Sequence, residues 1–569
     1  MIFEENRRAM TWLIVGASLT TLFFWSNLND PFNAPKSWIL SISGFWLLGW
    51  LCFQVKAQIK LQPLKWATIL SGIYLLTLFV AFCATDQKYI GLFGDYQRRT
   101  GLLSYLCLIS FFLAASYLVD LRGITLFENA ILVVGFITGL YGFAQHFNLD
   151  FVKWANPYNS VIDTLGNPDF AAALMAIFLI LNFGIAIQKK YVTWARLTAG
   201  LNSLLLLAVI TFSQARQGLL VSAFGVAVVI LVVLHQRSQA LAKAATGVFG
   251  VIIVFGIIGI LNQGPLAKYL YKPSVSFRGY YWRAGIQMFI HHPIFGVGLD
   301  RYGANYRQYR EAAQIAKTGA TTISNAAHNV PIQLAATGGI FVLLGFLALT
   351  GFIFYRGVVA LRRTSGAQQI TVASIFAAWL AYQGQSLVSI DNLGIAVWGY
   401  VLGGVITGIS LGLRDPKIVP EKRSLIQPLI STGLVLFMFA VSVLFFESES
   451  AAKSLHTTGI SRNQSDRAAY EEAVQKPLTF IFQEPTFELT AASNLARAGD
   501  FGLAQSRLSR ILKADPKNFA ALDLQARLYE FENKWGAAAA IRSEMVSMDP
   551  FDTSLRTPLS VDRQRAGLK

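Results

Sequence analysis

Long apolar runs separated by short polar breaks fill the first 446 residues. A helix that crosses hydrocarbon needs about 20 mostly apolar residues. Thirteen segments meet that length, near 9–27, 37–55, 64–84, 101–119, 127–147, 169–188, 195–213, 217–235, 244–262, 329–355, 368–388, 393–412 and 425–446. Between the ninth and tenth lies a long polar insert, 263–328, and from 447 onward the chain turns polar. The pattern predicts an all-α polytopic membrane protein with about 13 transmembrane helices. It divides into a transmembrane domain, 1–446, with a large outer loop at 263–328, and an extracytoplasmic helical domain, 447–569.

Charge orients these spans. Cytoplasmic loops of membrane proteins are rich in Lys and Arg. With the amino terminus inside, the inner loops hold Arg7, Arg8, Lys56, Lys60, Lys65, Arg122, Lys189, Lys190, Arg196, Arg237, Lys243, Arg356, Arg362, Arg363, Arg414, Lys417, Lys422 and Arg423. The short outer loops hold only Lys36, Lys88, Arg98, Arg99, Lys153 and Arg216. This bias predicts a cytoplasmic amino terminus and an extracytoplasmic carboxyl terminus in a bacterial inner membrane. The first run follows Arg7 and Arg8 but lacks a small-residue cleavage site, so it is read as a span. Composition agrees: 54% of residues are hydrophobic and 14% charged, with mean hydropathy +0.48. Soluble domains carry nearer a quarter charged residues. The net charge of +17 is therefore assigned to membrane topology, and no nucleic-acid partner is expected. Cys52, Cys83 and Cys107 all fall within apolar runs, which predicts neither a disulfide framework nor a metal site.

In the polar tail, positions 34 apart agree: Ala492 with Ala526, Phe501 with Trp535, Ala504 with Ala538, and Asp515-Pro516 with Asp549-Pro550. This period, with small residues at helix crossings, resembles tetratricopeptide repeats. The Ala-rich stretch 448–480 is expected to add a helix pair. Such repeats are peptide-binding platforms, so the tail favours a protein partner or a protein acceptor.

Ionisable residues at the outer boundary are functional candidates. Arg216 sits in Ser-Gln-Ala-Arg-Gln-Gly, a hinge between two apolar spans, where the plain alternative is an arginine snorkelling to headgroups. Arg278 lies in Phe-Arg-Gly-Tyr-Tyr-Trp-Arg with Arg283 close behind, and His328 stands where the long loop re-enters the membrane. Guanidinium forks bind phosphate oxygens and stabilise a departing diphosphate. A histidine, with an ordinary pKa of about 6.5, can take the proton of an attacking hydroxyl. Together these residues suit transfer of a group from a lipid diphosphate. There is no Gly-rich nucleotide loop and no carboxylate cage, so ATP-driven work, a metal and a cofactor are not expected.

Six short motifs then carry a resemblance. They are Gly94-Asp95-Tyr96-Gln97-Arg98-Arg99-Thr100-Gly101, Gly166-Asn167-Pro168-Asp169-Phe170, Ser213 through Gly218, Arg278-Gly279-Tyr280-Tyr281-Trp282, Pro293-Ile294-Phe295-Gly296-Val297-Gly298, and His328-Asn329. In that order, over roughly 90–410, they resemble the O-antigen ligase/polymerase family of bacterial envelope glycosyltransferases. The resemblance implies a multi-span fold capped by a large outer loop. It also implies metal-independent, inverting glycan transfer from an undecaprenyl-diphosphate carrier. By it, His328 is the catalytic residue and Arg216 and Arg278 hold the diphosphate; Arg283, close behind Arg278 in sequence, is a further diphosphate-binding candidate. Arg98, Arg99, Asn167, Asp300 and Asn329 are further outer-face candidates. One departure stands out: where relatives often carry Glu after the His-Asn pair, this chain has Ala336-Thr337.

The expected function is thus glycan transfer to an extracytoplasmic acceptor. That acceptor is lipid A core, another lipid-linked repeat, or a protein serine or threonine, and the sequence does not choose. A transporter or lipid-linked glycan flippase would call for repeats among the spans and charges at the bilayer midplane. Neither pattern is seen. A purely structural sensor would leave the outer arginines without a role.

Overall fold

The computed structural model of the chain describes residues 2–58, 62–120, 123–154, 156, 159, 161–271, 273–412, 426–460 and 485–568. Lys60, Arg122, Lys272, Arg414, Lys417, Lys422, Arg423 and residues 461–484, which include much of the expected extra helix pair, lie outside them. Among the described residues the regular structure is helical, with no strand.

The amino-terminal helices are α1 (Ile2–Leu22), α2 (Asn33–Gln58), α3 (Gln62–Ala84), the short α4 (Lys88–Phe93), α5 (Leu102–Leu118) and α6 (Ile124–His146). There follow α7 (Pro168–Ile187), α8 (Thr193–Phe212), α9 (Arg216–Arg237) and α10 (Gln239–Ile260). The long loop 263–328 holds α11 (Ala267–Leu270), α12 (Pro273–His291), α13 (Tyr302–Tyr309) and α14 (Ala312–Thr318). The bundle closes with α15 (Val330–Arg363), α16 (Gly366–Ser386), α17 (Leu393–Ile409) and α18 (Ile426–Ile460). Each of the thirteen apolar runs overlaps one of these helices, although α1 ends at Leu22, short of the expected 27. Nine described helices are long and apolar enough to cross a membrane, and α5 and α17 are shorter apolar ones. The chain is an all-α polytopic membrane protein.

Every residue of α17 is buried, which explains its near-continuous apolar sequence: a helix apolar all round belongs in the centre. It packs on α5, and Gly404 makes the approach possible. A Cβ there would stand 2.2 Å from the carbonyl oxygen of Phe112. Close backbone approach at small residues drives helix association in lipid. α7 forms a second centre against α8, α9 and α16. At the rim, α10 contacts α9 and exposes Val251, Ile252, Val254 and Phe255, the composition of a surface solvated by lipid tails.

The inter-span loops separate to two ends. At one, Lys190 donates to Thr371 Oγ1 at 2.7 Å, and Gln236 bonds Gln369. At the other, the loops holding Arg98, Asn167 and Arg216 meet the long insert, which carries Arg278 and His328.

The tail forms two helical hairpins, α19 (Pro485–Ala498) with α20 (Phe501–Ala514) and α21 (Phe519–Phe531) with α22 (Trp535–Met548), followed by α23 (Arg556–Arg565). Ala492, Ala504, Ala526 and Ala538, matched in sequence at a spacing of 34, are all fully buried. The helix expected to end at 446 runs on to Ile460, and Glu449 on it reaches back to the bundle, pairing with Arg99 at 2.8 Å. The tail is also clamped to the long loop. Arg301 grips Asp515 through two bonds of 2.8 and 2.9 Å. Arg310, wholly buried, grips Asp549 at 2.6 and 3.1 Å, and Arg307 joins it at 3.0 Å.

Candidate active site

Arg216 opens α9. Gln214 just before it takes a left-handed backbone (φ 56°) that turns the chain out of α8. Its guanidinium donates to the Tyr271 carbonyl. No carboxylate pairs with it among the described residues, so its charge is free to meet a ligand. Arg278, on α12, donates to Asp169 Oδ2 at 3.2 Å and to Gln217 Oε1 at 3.3 Å. Asp169 is placed by Asn167, whose side chain caps α7 by accepting from the Asp169 amide at 2.8 Å. Burial pushes the Arg278 guanidinium pKa down, and Asp169 opposes that shift. It thus carries its charge in a partly desolvated place, where charge-assisted bonds are strongest.

Arg216 and Arg278 line one cavity of about 1000 Å³. Gln217, Trp282 and Arg283 share its polar end, while Leu220, Phe224, Ile260, Leu261 and Leu380 form an apolar wall. Arg283 is already engaged: both its Nε and Nη2 bond Glu311, at 2.6 and 3.0 Å, and its plane stacks on Tyr280.

His328 sits beside this cavity. Its backbone is left-handed (φ 55°), a conformation that carries strain in a non-glycine residue and gathers at functional sites. The next residue, Asn329, caps α15 by accepting from Ile332 N at 3.0 Å and donates to the Leu387 carbonyl. Trp282 Nε1 donates to the His328 carbonyl at 3.3 Å, and the Tyr281 ring lies 5.2 Å from the imidazole. The Nδ1 of His328 is 3.1 Å from the Ala326 carbonyl. A carbonyl only accepts, so Nδ1 carries the proton and Nε2 presents a lone pair. Burial pushes the imidazole pKa down to about 4, with Arg278 and Arg98 adding to the effect. The histidine is neutral at physiological pH.

The loop ahead of His328 is shaped by a kink in α15. Gly339 takes φ 77° inside that helix, and Pro293–Gly298 crosses over it, with Ile340 N bonded to the Pro293 carbonyl and Val297 N to that of Ala336. A Cβ on Gly339 would lie 2.1 Å from the Ile294 carbonyl oxygen. Ala336 is buried under this crossing.

The remaining candidates form a scaffold around these groups. Arg98 pairs with Asp300, both buried, and Asp300 also accepts from Asp95 N and Thr100 Oγ1. Arg99 turns away to Glu449. Asp169 and Gln217, which orient Arg278, lie within the quoted motifs but were given no role from sequence. Asp391, in the turn between α16 and α17, had no role from sequence either. Burial lifts the Asp391 carboxyl to about 7, opposed by a bond from Tyr382. An acid at the outer end of two apolar spans was the available signal.

Residues 201–347 match a protein-family model described as O-antigen ligase. The matched stretch begins in α8, ends in α15 and contains Arg216, Arg278 and His328. No curated protein matches the chain.

Proposed function

The O-antigen ligase match over residues 201–347 supports membership of the O-antigen ligase/polymerase family, and from that premise we propose that the chain transfers a glycan from undecaprenyl diphosphate to an acceptor outside the cytoplasm. The observation that carries this is the large cavity, with two arginines at its polar end and an apolar wall leading to the lipid-exposed α10. A polyprenyl diphosphate has the matching division: an anionic head and a hydrocarbon chain.

In this scheme Arg216 and Arg278 hold the diphosphate and Gln217 steadies Arg278. As the bond from the anomeric carbon to phosphate oxygen breaks, negative charge grows on the leaving group. The guanidiniums stabilise that charge most in a water-poor site. Nε2 of neutral His328 accepts the acceptor hydroxyl proton as the new glycosidic bond forms. Phosphate draws Arg278 partly from Asp169, whose carboxylate, 41% exposed, then turns to water.

Transfer from a lipid-diphosphate glycan by the detergent-purified chain tests this, with free diphospholipid measured as product. Arg278→Lys keeps the charge but loses the fork, and transfer should fall by about 10²-fold, the lower range for losing one such donor. Arg216→Lys should act in the same direction. Unchanged turnover in both variants at normal membrane levels excludes the scheme.

A further inference from the structure

The short helix α13 joins the neighbourhood of His328 to the tail. Tyr302 and Tyr306, four residues apart and so on one helix face, are both fully buried. The Tyr302 hydroxyl donates to the Tyr281 carbonyl at 2.6 Å, and the Tyr306 ring meets that of Tyr281 edge-on at 5.8 Å. Tyr281 in turn lies against the His328 imidazole. Arg301, Arg307 and Arg310 reach from the same stretch to the tail, where Asp515 takes the first and Asp549 the other two. These aspartates are the pair matched at a spacing of 34, each closing the second helix of a hairpin. The tail thus supplies two equivalent acidic corners, and one arginine-bearing stretch spans both.

Arg310 carries a second tie. It donates to the carbonyls of Ala320 at 2.8 Å and Thr322 at 3.2 Å, in the segment that runs on to His328. Glu311, next to it, fills the fork of Arg283 in the wall of the large cavity. The tail in its turn rests on the bundle. The Gln87 side chain donates to the Ala514 carbonyl, and Phe487 packs edge-on against Tyr96 at 5.1 Å. The segment before His328 is therefore gripped by a tail that has a footing of its own. No described residue of the tail lines the large cavity, so docking supports the wall and does not plug the space.

We propose that the docked tail positions the active site: through α13 and the segment 320–328 it holds His328 where its Nε2 can work. That work rests on the glycan-transfer reading; the mechanical tie does not. His328 keeps a left-handed backbone (φ 55°), which persists only where the surroundings over-determine it. The Tyr281 ring and the tie through Arg310 are such surroundings. With the tail undocked, the segment loses an anchor, and the imidazole leaves its buried seat beside Tyr281, Arg278 and Arg98. Arg216 and Arg278 stay in place, because Tyr271, Asp169 and Gln217 hold them.

The test uses the full-length chain in detergent with both corners reversed, Asp515→Lys together with Asp549→Lys, which sets ammonium against guanidinium. Amide hydrogen exchange in 320–329 should quicken by about tenfold, as loss of a charged bond allows. The chemical step of transfer should slow by about 10²-fold, the cost of a misplaced catalytic group, while donor binding stays near that of the wild type. The acid limb of kcat/KM should climb from near 4 toward about 6.5, the value of an imidazole in water. Asp515→Glu keeps the carboxylate and should hold all of these close to the wild type. Asp515→Asn with Asp549→Asn keeps the shape of the native corners and should quicken exchange too, which decides the matter if the reversed tail fails to fold. Three results overturn the proposal: exchange in 320–329 stays at the wild-type rate in both double variants; it rises while the chemical step and the acid limb do not move; or donor binding is lost along with the rate. A wild-type chain that transfers no glycan, with exchange still raised in the variants, is different. It sinks the transfer reading and leaves the tie between tail and His328.

Discussion

Arg310→Ala should release the tail from the outer loop. Arg310 and Asp549 are both wholly buried, joined by two bonds, and Arg310 also donates to the carbonyls of Ala320 and Thr322. Removing one partner of a buried pair costs about 3–5 kcal/mol, because the other charge stays buried and uncompensated. Asp549 would keep Arg307 at 3.0 Å, which points to the lower figure, about 3 kcal/mol. At about 1.4 kcal/mol per tenfold, the docked-to-undocked ratio falls on the order of a hundredfold. Amide hydrogen exchange on the purified chain reads this directly. Protection in α13 and in α22 should drop by about that factor in Arg310→Ala and in Asp549→Asn. Arg527→Ala provides the control, because its pair with Asp523 is an exposed one within a helix, worth about 0.3–0.5 kcal/mol. If Arg310→Ala and Asp549→Asn exchange like the wild type, these arginines do not hold the tail and the argument from burial fails.

With His328 as the proposed base, the acid side of the pH–rate profile should follow its titration. Its pKa lies near 4 rather than 6.5, so the neutral base persists to lower pH, and kcat/KM should stay level through pH 6.5 and fall only near 4. Bound diphosphate favours the imidazolium, so the limb in kcat should lie higher than that in kcat/KM; a kcat/KM limb at 6.5 contradicts the buried setting. For orientation, a background lacking the native cysteines should show Ser547→Cys, on exposed tail surface, labelled by an impermeant thiol reagent in spheroplasts, and Gln239→Cys protected. The reverse pattern inverts the topology and removes the site from the outer side.

The helices were legible because hydrocarbon imposes a strong rule: every span must be long, apolar and helical. Each predicted run accordingly falls on a helix. The end of α18 was not legible, since its continuation past 446 depends on Glu449 finding Arg99, a contact between residues 350 apart. In the tail, the 34-residue period located the buried alanines, and it also marked Asp515 and Asp549. Nothing local to either aspartate shows that an arginine of the outer loop waits for it. At the site, residue type and loop position brought out Arg216, Arg278 and His328. The same signals said nothing of how each is engaged. Arg283 looked equivalent to Arg278, yet Glu311 occupies its fork, and that depends on how α12 meets the start of α14. His328 offered an ordinary imidazole in sequence, whereas its lowered pKa comes from burial against Tyr281 and two distant arginines.

In the proposed reaction His328 removes the acceptor proton while the arginine-lined cavity holds the departing diphosphate. Single-turnover transfer by His328→Ala, with preloaded lipid-diphosphate glycan and saturating acceptor, tests it most directly. Donor binding should stay close to that of the wild type and the chemical step should slow by about 10²–10⁴-fold, the usual contribution of a general base. A chemical step at the wild-type rate would contradict it and return His328 to a structural part in the turn before α15.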